Sequence, residues 1–405
     1  MNILFLTMSG ITSISSNGIY EDLMREFILN NNDVYIAAPA EKRYKEKTNL
    51  IKEDKCRILR IQTGNLQKVG FIEKGIATLK VTSQFKSAIK KYFKSVKFDL
   101  IIYSTPPITL DKVVKFIKKR DNAKTFLLLK DIFPQNAIDL GILSPGGLKG
   151  IIYRYFKKKE TRLYSLSDNI GCMSEANRDY LLKHNPKLDK NRVCIVHNSI
   201  YPHIVELTAD EKKSMRDKYG LPQDKKIFIY GGNLGKPQAI PFVIECVKAC
   251  SGIDDAYFFI VGDGTEYEKL EQFVEIDKPK NLKVLKRLPK SDFDTMLAAC
   301  NVGLIFLDYR FTIPNYPSRI LSYMQAGLPV LACTDPNTDV GKDIVEGGFG
   351  WQCESNNAEK FAEEINTALT SLQGKGDKAV EYLKEHFTVE KSYQTIMQSL
   401  KNNTR

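Results

Sequence analysis

Along the first two hundred residues, short apolar runs alternate with longer stretches in which apolar positions recur every three or four residues. The runs Asn2–Leu6, Asp33–Ala37, Arg57–Ile61, Leu100–Tyr103, Thr125–Leu129, Asn169–Met173 and Val193–Val196 predict strands. They are rich in β-branched and aromatic residues, and polar or Gly/Pro segments bound them. The stretches between them are of helix length, and strands alternating with helices imply parallel sheets covered on both faces. The alternation breaks at His197-Asn198-Ser199-Ile200, and Thr208-Ala209-Asp210-Glu211 then reads as a capped helix start. It resumes with predicted strands Lys226–Tyr230, Tyr257–Val261, Leu282–Leu285, Val302–Phe306 and Pro329–Ala332. Two doubly wound runs of similar length predict an α/β chain of two Rossmann-like domains, over 1–200 and 201–387. The stretch 388–405 is expected to pack back on the first. Ligands of such sheets bind beyond the carboxyl ends of the strands, so the expected site is a cleft between the two domains.

The loops after the strands carry the candidate chemistry. The first strand runs into Met8-Ser9-Gly10 and then Ser15-Ser16-Asn17-Gly18, ahead of a helical pattern with Leu23, Phe27 and Ile28. Small residues such as Gly18 before a helix let backbone N–H groups reach an anion. In the second half, Gly231-Gly232-Asn233-Leu234-Gly235-Lys236-Pro237-Gln238 supplies three glycines and a cation at a helix start, a composition suited to phosphate. Its spacing is not that of a P-loop. Gly262-Asp263-Gly264 also follows a strand, but Tyr267 stands where a dinucleotide fingerprint needs its third glycine. From Pro314 to Leu331, a polar cap precedes a short helix, Gly327 closes it, and Pro329 leads into a strand. Arg319, in the first turn of that helix, can reach the same diphosphate as Lys236.

Pro317-Ser318-Arg319-Ile320-Leu321-Ser322-Tyr323-Met324-Gln325-Ala326-Gly327-Leu328-Pro329-Val330-Leu331 resembles the donor-binding helix of the family-four retaining glycosyltransferases. Other segments match in the same order. Gly231–Gln238 resembles the phosphate loop, Val261–Leu270 the Gly-Asp-Gly turn, and Leu282–Lys290 the strand and turn that hold the nucleobase. Ser104-Thr105-Pro106-Pro107 and Lys130-Asp131-Ile132-Phe133-Pro134-Gln135 resemble N-domain motifs of capsule and lipopolysaccharide members. The resemblance implies the GT-B fold, two doubly wound Rossmann-like domains facing each other across a cleft. It implies donor contacts from Gly18, Asn233, Gly235, Lys236, Gly262, Arg287, Arg319 and Ser322, with Asp131 and Lys130 at the catalytic position. Two departures stand out. Ser322 and Pro314 occupy positions where members often have paired glutamates, and Lys130 replaces a common histidine.

The implied reaction is transfer of a hexosyl or N-acetylaminosugar unit, with retention, from a nucleoside-diphosphate donor, UDP foremost. The implied acceptor is a lipid-linked saccharide in bacterial surface polysaccharide synthesis. The nucleotide sugar is a substrate, so no cofactor is expected. A nucleotide-sugar 2-epimerase on the same fold and a non-catalytic two-domain binding protein are the alternatives. The first needs a carboxylate and histidine set that cannot be assembled from these motifs.

Composition adds a direction. The net charge of +12 is unevenly spread: residues 1–200 hold 35 Lys+Arg against 19 Asp+Glu, and the rest hold 25 against 29. From Lys74 to Lys97 there are seven lysines and no acid, interleaved with Phe85, Ile89, Tyr92 and Phe93, and a second basic and aromatic stretch spans Ile151–Lys159. Apolar residues flanked by lysine suit an anionic membrane surface. The competing expectation is a core-packed helix with a solvated lysine face. No RNP, KH or helix-turn-helix signature points to nucleic acid. The N-terminus lacks a signal-peptide pattern and no run reaches 18 apolar residues, so the expected location is cytoplasmic and peripheral on the inner membrane face. The eight cysteines form no C-x-x-C pair and read as buried free thiols. No metal is expected. Asp292-Phe293-Asp294 reads as the start of a capped helix, and Asp335-x-Asn337-x-Asp339 has its glycine too late for a calcium loop. The four histidines have no metal spacing.

Overall fold

The computed structural model describes residues 1–65 and 71–402, with the side chains of residues 71–76, 79, 290 and 291 outside the description. The chain forms two compact units. The first comprises Met1–Tyr201 with the C-terminal helix Val389–Asn402, and the second Pro202–Thr388.

The first unit is built on β1 (Asn2–Leu6), β2 (Asp33–Glu41), β3 (Asn49–Glu53), β4 (Cys56–Thr63), β5 (Leu100–Ser104), β6 (Lys124–Leu129), β7 (Asn169–Cys172) and β8 (Val193–Ile195). Their order in the sheet is β3-β4-β2-β1-β5-β6-β7-β8. Every pairing is parallel except β3 with β4. That antiparallel edge corrects the all-parallel expectation. Asn49-Leu50-Ile51-Lys52-Glu53 is too polar to read as a buried strand, and a tight turn through Asp54, with φ of +34°, folds it back on β4. The helix Val389–Asn402 buries Val389, Ser392, Ile396 and Leu400, one stripe at helical spacing. Ile396 and Leu400 join the core that holds Phe27, and the rings of Tyr393 and Phe27 meet edge-on at 4.9 Å. Burying each of these aliphatic side chains contributes about 1.5–3 kcal/mol.

The second unit holds β9 (Lys226–Asn233), β10 (Ala256–Asp263), β11 (Leu282–Leu285), β12 (Val302–Phe306), β13 (Val330–Thr334) and β14 (Gly350–Glu354), in the order β11-β10-β9-β12-β13-β14. All its pairings are parallel. The edge strand β14 escapes the hydrophobic pattern because Gly350, Gln352 and Glu354 dilute its apolar residues. The aromatic rings of Phe228, Phe258, Phe361 and Phe306 run through the core in contact, with centroids 5.4–6.2 Å apart. In each sheet the strand order reverses once, between β1 and β5 and between β9 and β12, and these are the positions where α/β sheets place ligands.

The helix Phe71–Tyr92 overturns one expectation. Phe85, Ile89 and Phe93 are fully buried, and the Tyr92 hydroxyl donates to the Thr48 carbonyl at 3.1 Å. These residues are core, so none is free to insert into a membrane. Lys80, Lys90, Lys91, Lys94 and Lys97 are exposed, while the side chains of Lys74, Ile76 and Leu79 lie outside the description. All eight cysteines are free, and six are buried. Among the described residues no helix is long and apolar enough to cross a membrane.

Candidate functional site

The carboxyl end of β9 is shaped by glycine. Gly232 has a φ of +134°, which side-chain-bearing residues rarely adopt. On the adjacent strand a Cβ at Gly262 would lie 2.0 Å from the Gly232 carbonyl oxygen, so only glycine lets β10 come this close to the loop. Gln238 then organises the rest. Its Oε1 accepts the Gly235 N–H at 3.1 Å and the Asn233 Nδ2 at 3.0 Å. Lys236 opens the short turn Lys236–Gln238 and is exposed, with no ion pair among the described residues. The Asp308 N–H at the end of β12 donates to the Pro237 carbonyl at 2.9 Å, tying both sides of the switch point together.

Arg319 stands against the same loop. It begins the helix Arg319–Gln325, its Nη1 donates to the Gly231 carbonyl at 3.2 Å, and its guanidinium carbon lies 4.3 Å from the centre of the Tyr230 ring. A Cβ on Gly232 would sit 3.4 Å from its Nη2. The Tyr323 hydroxyl, one turn on, accepts the Gly231 N–H at 3.2 Å and donates to the Leu304 carbonyl at 3.0 Å. The helix ends in a Schellman motif: Leu328 N–H bonds the Tyr323 carbonyl at 2.9 Å and Gly327 N–H that of Met324 at 3.0 Å, with Gly327 at φ +65°. The result is a guanidinium fixed by a ring and a carbonyl, with further N–H donors, beside an exposed ammonium and a glycine-rich backbone. Such a set suits a diphosphate. Sequence reasoning named Lys236, Asn233, Gly235, Gly262 and Arg319. It missed Tyr230, Tyr323 and Gln238, which position them, although Tyr323 and Gln238 lie inside the quoted motifs and Tyr230 ends the predicted strand before the loop. Ser322 is half-buried on the Arg319 helix, and Arg287 is exposed after β11.

In the first unit the two N-domain motifs meet at the ends of β5 and β6. The Thr105 hydroxyl donates to the Asp131 carbonyl and accepts the Lys130 N–H, each at 3.1 Å. The Asp131 carboxylate accepts Asn136 Nδ2 at 2.9 and 2.8 Å, and burial raises its pKa to about 7. Burial also lowers the Lys130 pKa to about 7, and its Nζ donates to the carbonyls of Val196 and His197 at 3.3 and 3.4 Å. Groups so poised are candidates for proton handling. Gly18 precedes the helix Ile19–Leu29, and its N–H donates to Asp22 Oδ1 at 3.3 Å. Arg25 Nη1 holds the carbonyls of Ile14 and Ser16, both at 2.6 Å.

The remaining motifs have structural uses. Asp292 pairs with Lys218 at 2.6 Å and accepts the Tyr219 hydroxyl. Its helix, Lys290–Ala299, has Pro289 at the N-cap. Asp335 Oδ1 accepts the N–H groups of Asn337 at 2.9 Å and Thr338 at 3.1 Å, a turn closed on itself. His184 Nδ1 lies 2.9 Å from the Tyr180 carbonyl, and His197 Nδ1 lies 2.7 Å from that of Met173. Among the described residues no three His, Cys, Asp or Glu side chains are grouped to hold a metal.

Comparison with known proteins gives this arrangement its class. The fold is that of the GT-B glycosyltransferases. The structure of HepE from Anabaena in complex with UDP superposes with a TM-score of 0.68 at 16% identity, covering 99% of this chain and 100% of that one. WaaG, a glycosyltransferase involved in lipopolysaccharide biosynthesis, superposes with a TM-score of 0.66 at 13% identity, covering 97% and 98%. In sequence, the protein named "Probable glycosyltransferase WbjE" from Pseudomonas aeruginosa is 23% identical over 309 residues, 75% of this chain and 74% of its own. Residues 211–386, within the second unit, match the family model Glycosyl transferases group 1.

Proposed function

We propose that this protein transfers a sugar, with retention, from a UDP-sugar to a hydroxyl of a lipid-linked saccharide during synthesis of a bacterial surface polysaccharide. One observation carries the reading. An anchored guanidinium, Arg319, and an exposed ammonium, Lys236, flank one glycine-rich loop at the switch point of the unit that matches the group 1 glycosyltransferase model. As the donor bond breaks, negative charge grows on the departing diphosphate. Fixed cations and N–H donors aimed there stabilise the transition state more than the ground state. Asn233, Gly235 and Gly262 shape the phosphate cradle, and Arg287 and Ser322 serve the nucleoside. Asp131 and its neighbour Lys130 orient the acceptor hydroxyl. HepE binding UDP supports the choice of base, and the role of WaaG supports the choice of pathway class. Because Asp292 is spent on Lys218 and Tyr219, the cations at the loop stand in for a divalent ion, and transfer is expected to persist in EDTA.

The test is a thermal-shift series with UDP, GDP, ADP and dTDP. At a hundredfold excess over Kd, a ligand of the native state adds about 2.7 kcal/mol of stability, so the cognate base stands out in Tm. UDP is expected to give the largest rise. A series in which no nucleotide moves Tm overturns the proposal.

A further inference from the structure

The first unit contains a cavity of about 190 Å³ that no step of the proposed transfer occupies. It lies between the helices Gly147–Leu166 and Glu175–His184, with Ile132 and Gln135 also in its wall. Glu175 begins its helix shortly after β7, and His184 in the cavity wall lies nine residues further on. At 1.5 Å per residue that is about 13 Å along the axis, so the cavity extends back from the strand-end loops into the layer of helices. On its other side, Ile132 follows Asp131, the residue proposed to orient the acceptor. The space therefore leads from beside that position into the flank of the unit.

Charge, hydrogen bonding and shape together define its ligand. Among the described residues that line the cavity, Glu160 is the one acid and Lys157 the one ammonium, and they pair at 2.6 Å. The charges cancel, so the cavity suits a neutral molecule, since a net charge brought in would lack a partner. Glu160 is 1% exposed, and its Oε1 accepts the hydroxyl of the buried Tyr164 at 3.0 Å. A carboxylate offers about four acceptor sites, of which Tyr164 and Lys157 use two. The Asn185 amide gives one N–H to the Leu181 carbonyl at 2.9 Å, and an amide carries a second N–H and an acceptor oxygen. These groups suit a ligand whose hydroxyls both donate and accept. The His184 ring stacks on Tyr180 with centroids 3.9 Å apart and planes 25° from parallel, and Tyr153 adds a ring from the other helix. Flat rings cover the apolar face of a ligand that is polar at its rim. A cavity of about 150 Å³ admits one benzene ring, so this one has room for a single six-membered ring with its hydroxyls.

We infer that this cavity is a subsite for one neutral pyranose unit, stacked on Tyr180 and His184 and hydrogen-bonded through its hydroxyls to Glu160 and Asn185. The unit seated there is not the one that reacts. It is a neighbour along the acceptor glycan, and holding it anchors the acceptor while Asp131 faces the reacting hydroxyl. The inference rests on the transfer proposal for placing the sugar in an acceptor, whereas the chemistry of the cavity selects the sugar. A nucleobase is also flat and neutral, but it presents few donors to a buried carboxylate, while a pyranose carries hydroxyls all round its rim.

The experiment is saturation-transfer NMR on the full chain with the methyl glycosides of glucose, galactose, rhamnose and N-acetylglucosamine, each alone and with excess UDP, and with uridine as a further probe. At least one glycoside is expected to bind, and UDP is expected not to displace it. Tyr180→Ala and His184→Ala are each expected to weaken binding about three- to tenfold, the range of one aromatic contact. Tyr180→Phe keeps the ring and is expected to bind like the parent. Glu160→Gln is expected to lose about tenfold or more, as a hydrogen bond to a charged group does. Tyr180 is half-buried and His184 exposed, so their variants should melt like the parent and carry the test if Glu160→Gln fails to fold. The inference is overturned if no glycoside receives saturation, if UDP displaces the one that does, or if binding survives both Tyr180→Ala and His184→Ala. Uridine binding that Tyr180→Ala abolishes overturns it too, by making the cavity a nucleoside site. Glycoside binding in a protein whose Tm no nucleotide moves sinks the transfer proposal and leaves the sugar site standing. A UDP response without glycoside binding does the reverse.

Discussion

The two sheets treat their carboxyl ends differently. At the end of β9, polar groups are left available: Lys236 is exposed, and Arg319 is anchored through one N–H and a ring with other donors remaining. At the ends of β1, β5 and β6, the corresponding groups are engaged by their own unit. The Gly18 N–H goes to Asp22, the Asp131 carboxylate to Asn136, and the Lys130 ammonium to two carbonyls. The difference matches the chemistry proposed for each. A dianionic diphosphate needs charge held open for it in advance, because reorienting donors during the reaction costs energy. A neutral hydroxyl needs a shaped polar wall whose groups change protonation near neutrality.

The largest expected effect breaks this contrast at Arg319. Arg319→Ala is expected to cost about 2–4 kcal/mol in kcat/KM for transfer, read by initial rates with a sugar donor of the nucleotide that gives the largest thermal shift. A near wild-type rate would place the diphosphate elsewhere. Lys236→Ala should cost somewhat less, about 1.5–3 kcal/mol, as loss of a charged hydrogen bond does, and leave Tm essentially unchanged because the side chain is exposed. A loss of stability comparable to the loss of rate would show a structural role instead. Tyr323→Phe removes the hydroxyl that joins Gly231 to Leu304 and should cost about 1–3 kcal/mol in chemical denaturation, since a buried donor and acceptor lose their partner.

The smallest effect sharpens the first-unit side of the comparison. Asp131 has its pKa raised from 3.8 to about 7, so the folded state holds a proton that the unfolded chain releases. Its contribution to stability therefore falls as pH rises from about 4 to 7. Lys130 is lowered from 10.5 to about 7, so between about 7 and 10 the unfolded chain holds the extra proton and stability rises with pH. Together they predict a minimum of Tm near neutrality. Asp131→Asn should flatten its acid limb and Lys130→Met its alkaline limb. Unchanged Tm–pH curves in both variants would mean that solvent reaches these groups freely.

Twelve of the fourteen strands among the described residues were legible as apolar runs, because a strand buried on both faces must be apolar almost throughout. The two unread ones, β3 and β14, are edges, where one side needs no cover and polar residues are tolerated. The elements of the candidate phosphate loop were legible because glycines, a following cation and a capped helix start are local features of sequence. The helices carrying lysine and aromatic residues were not separable by sequence. Phe71–Tyr92 and Gly147–Leu166 both read as amphipathic and basic, yet Phe85 is 0% exposed and Leu148 is 84%.

The chain alone therefore determined two α/β units, the break near residue 200, the phosphate-type loop Gly231–Lys236 and the helix starting at Arg319, because each rests on backbone preference and periodicity within one segment. Tertiary structure decided which partners those groups keep. It set Arg319 on the Tyr230 ring and on Gly231, the latter 88 residues away in sequence, and turned Lys130 toward the carbonyls of Val196 and His197. It also chose which apolar stripe faces the core and which faces outward. Periodicity marks a stripe on a helix, but only the neighbours that arrive in the fold determine whether that stripe is buried.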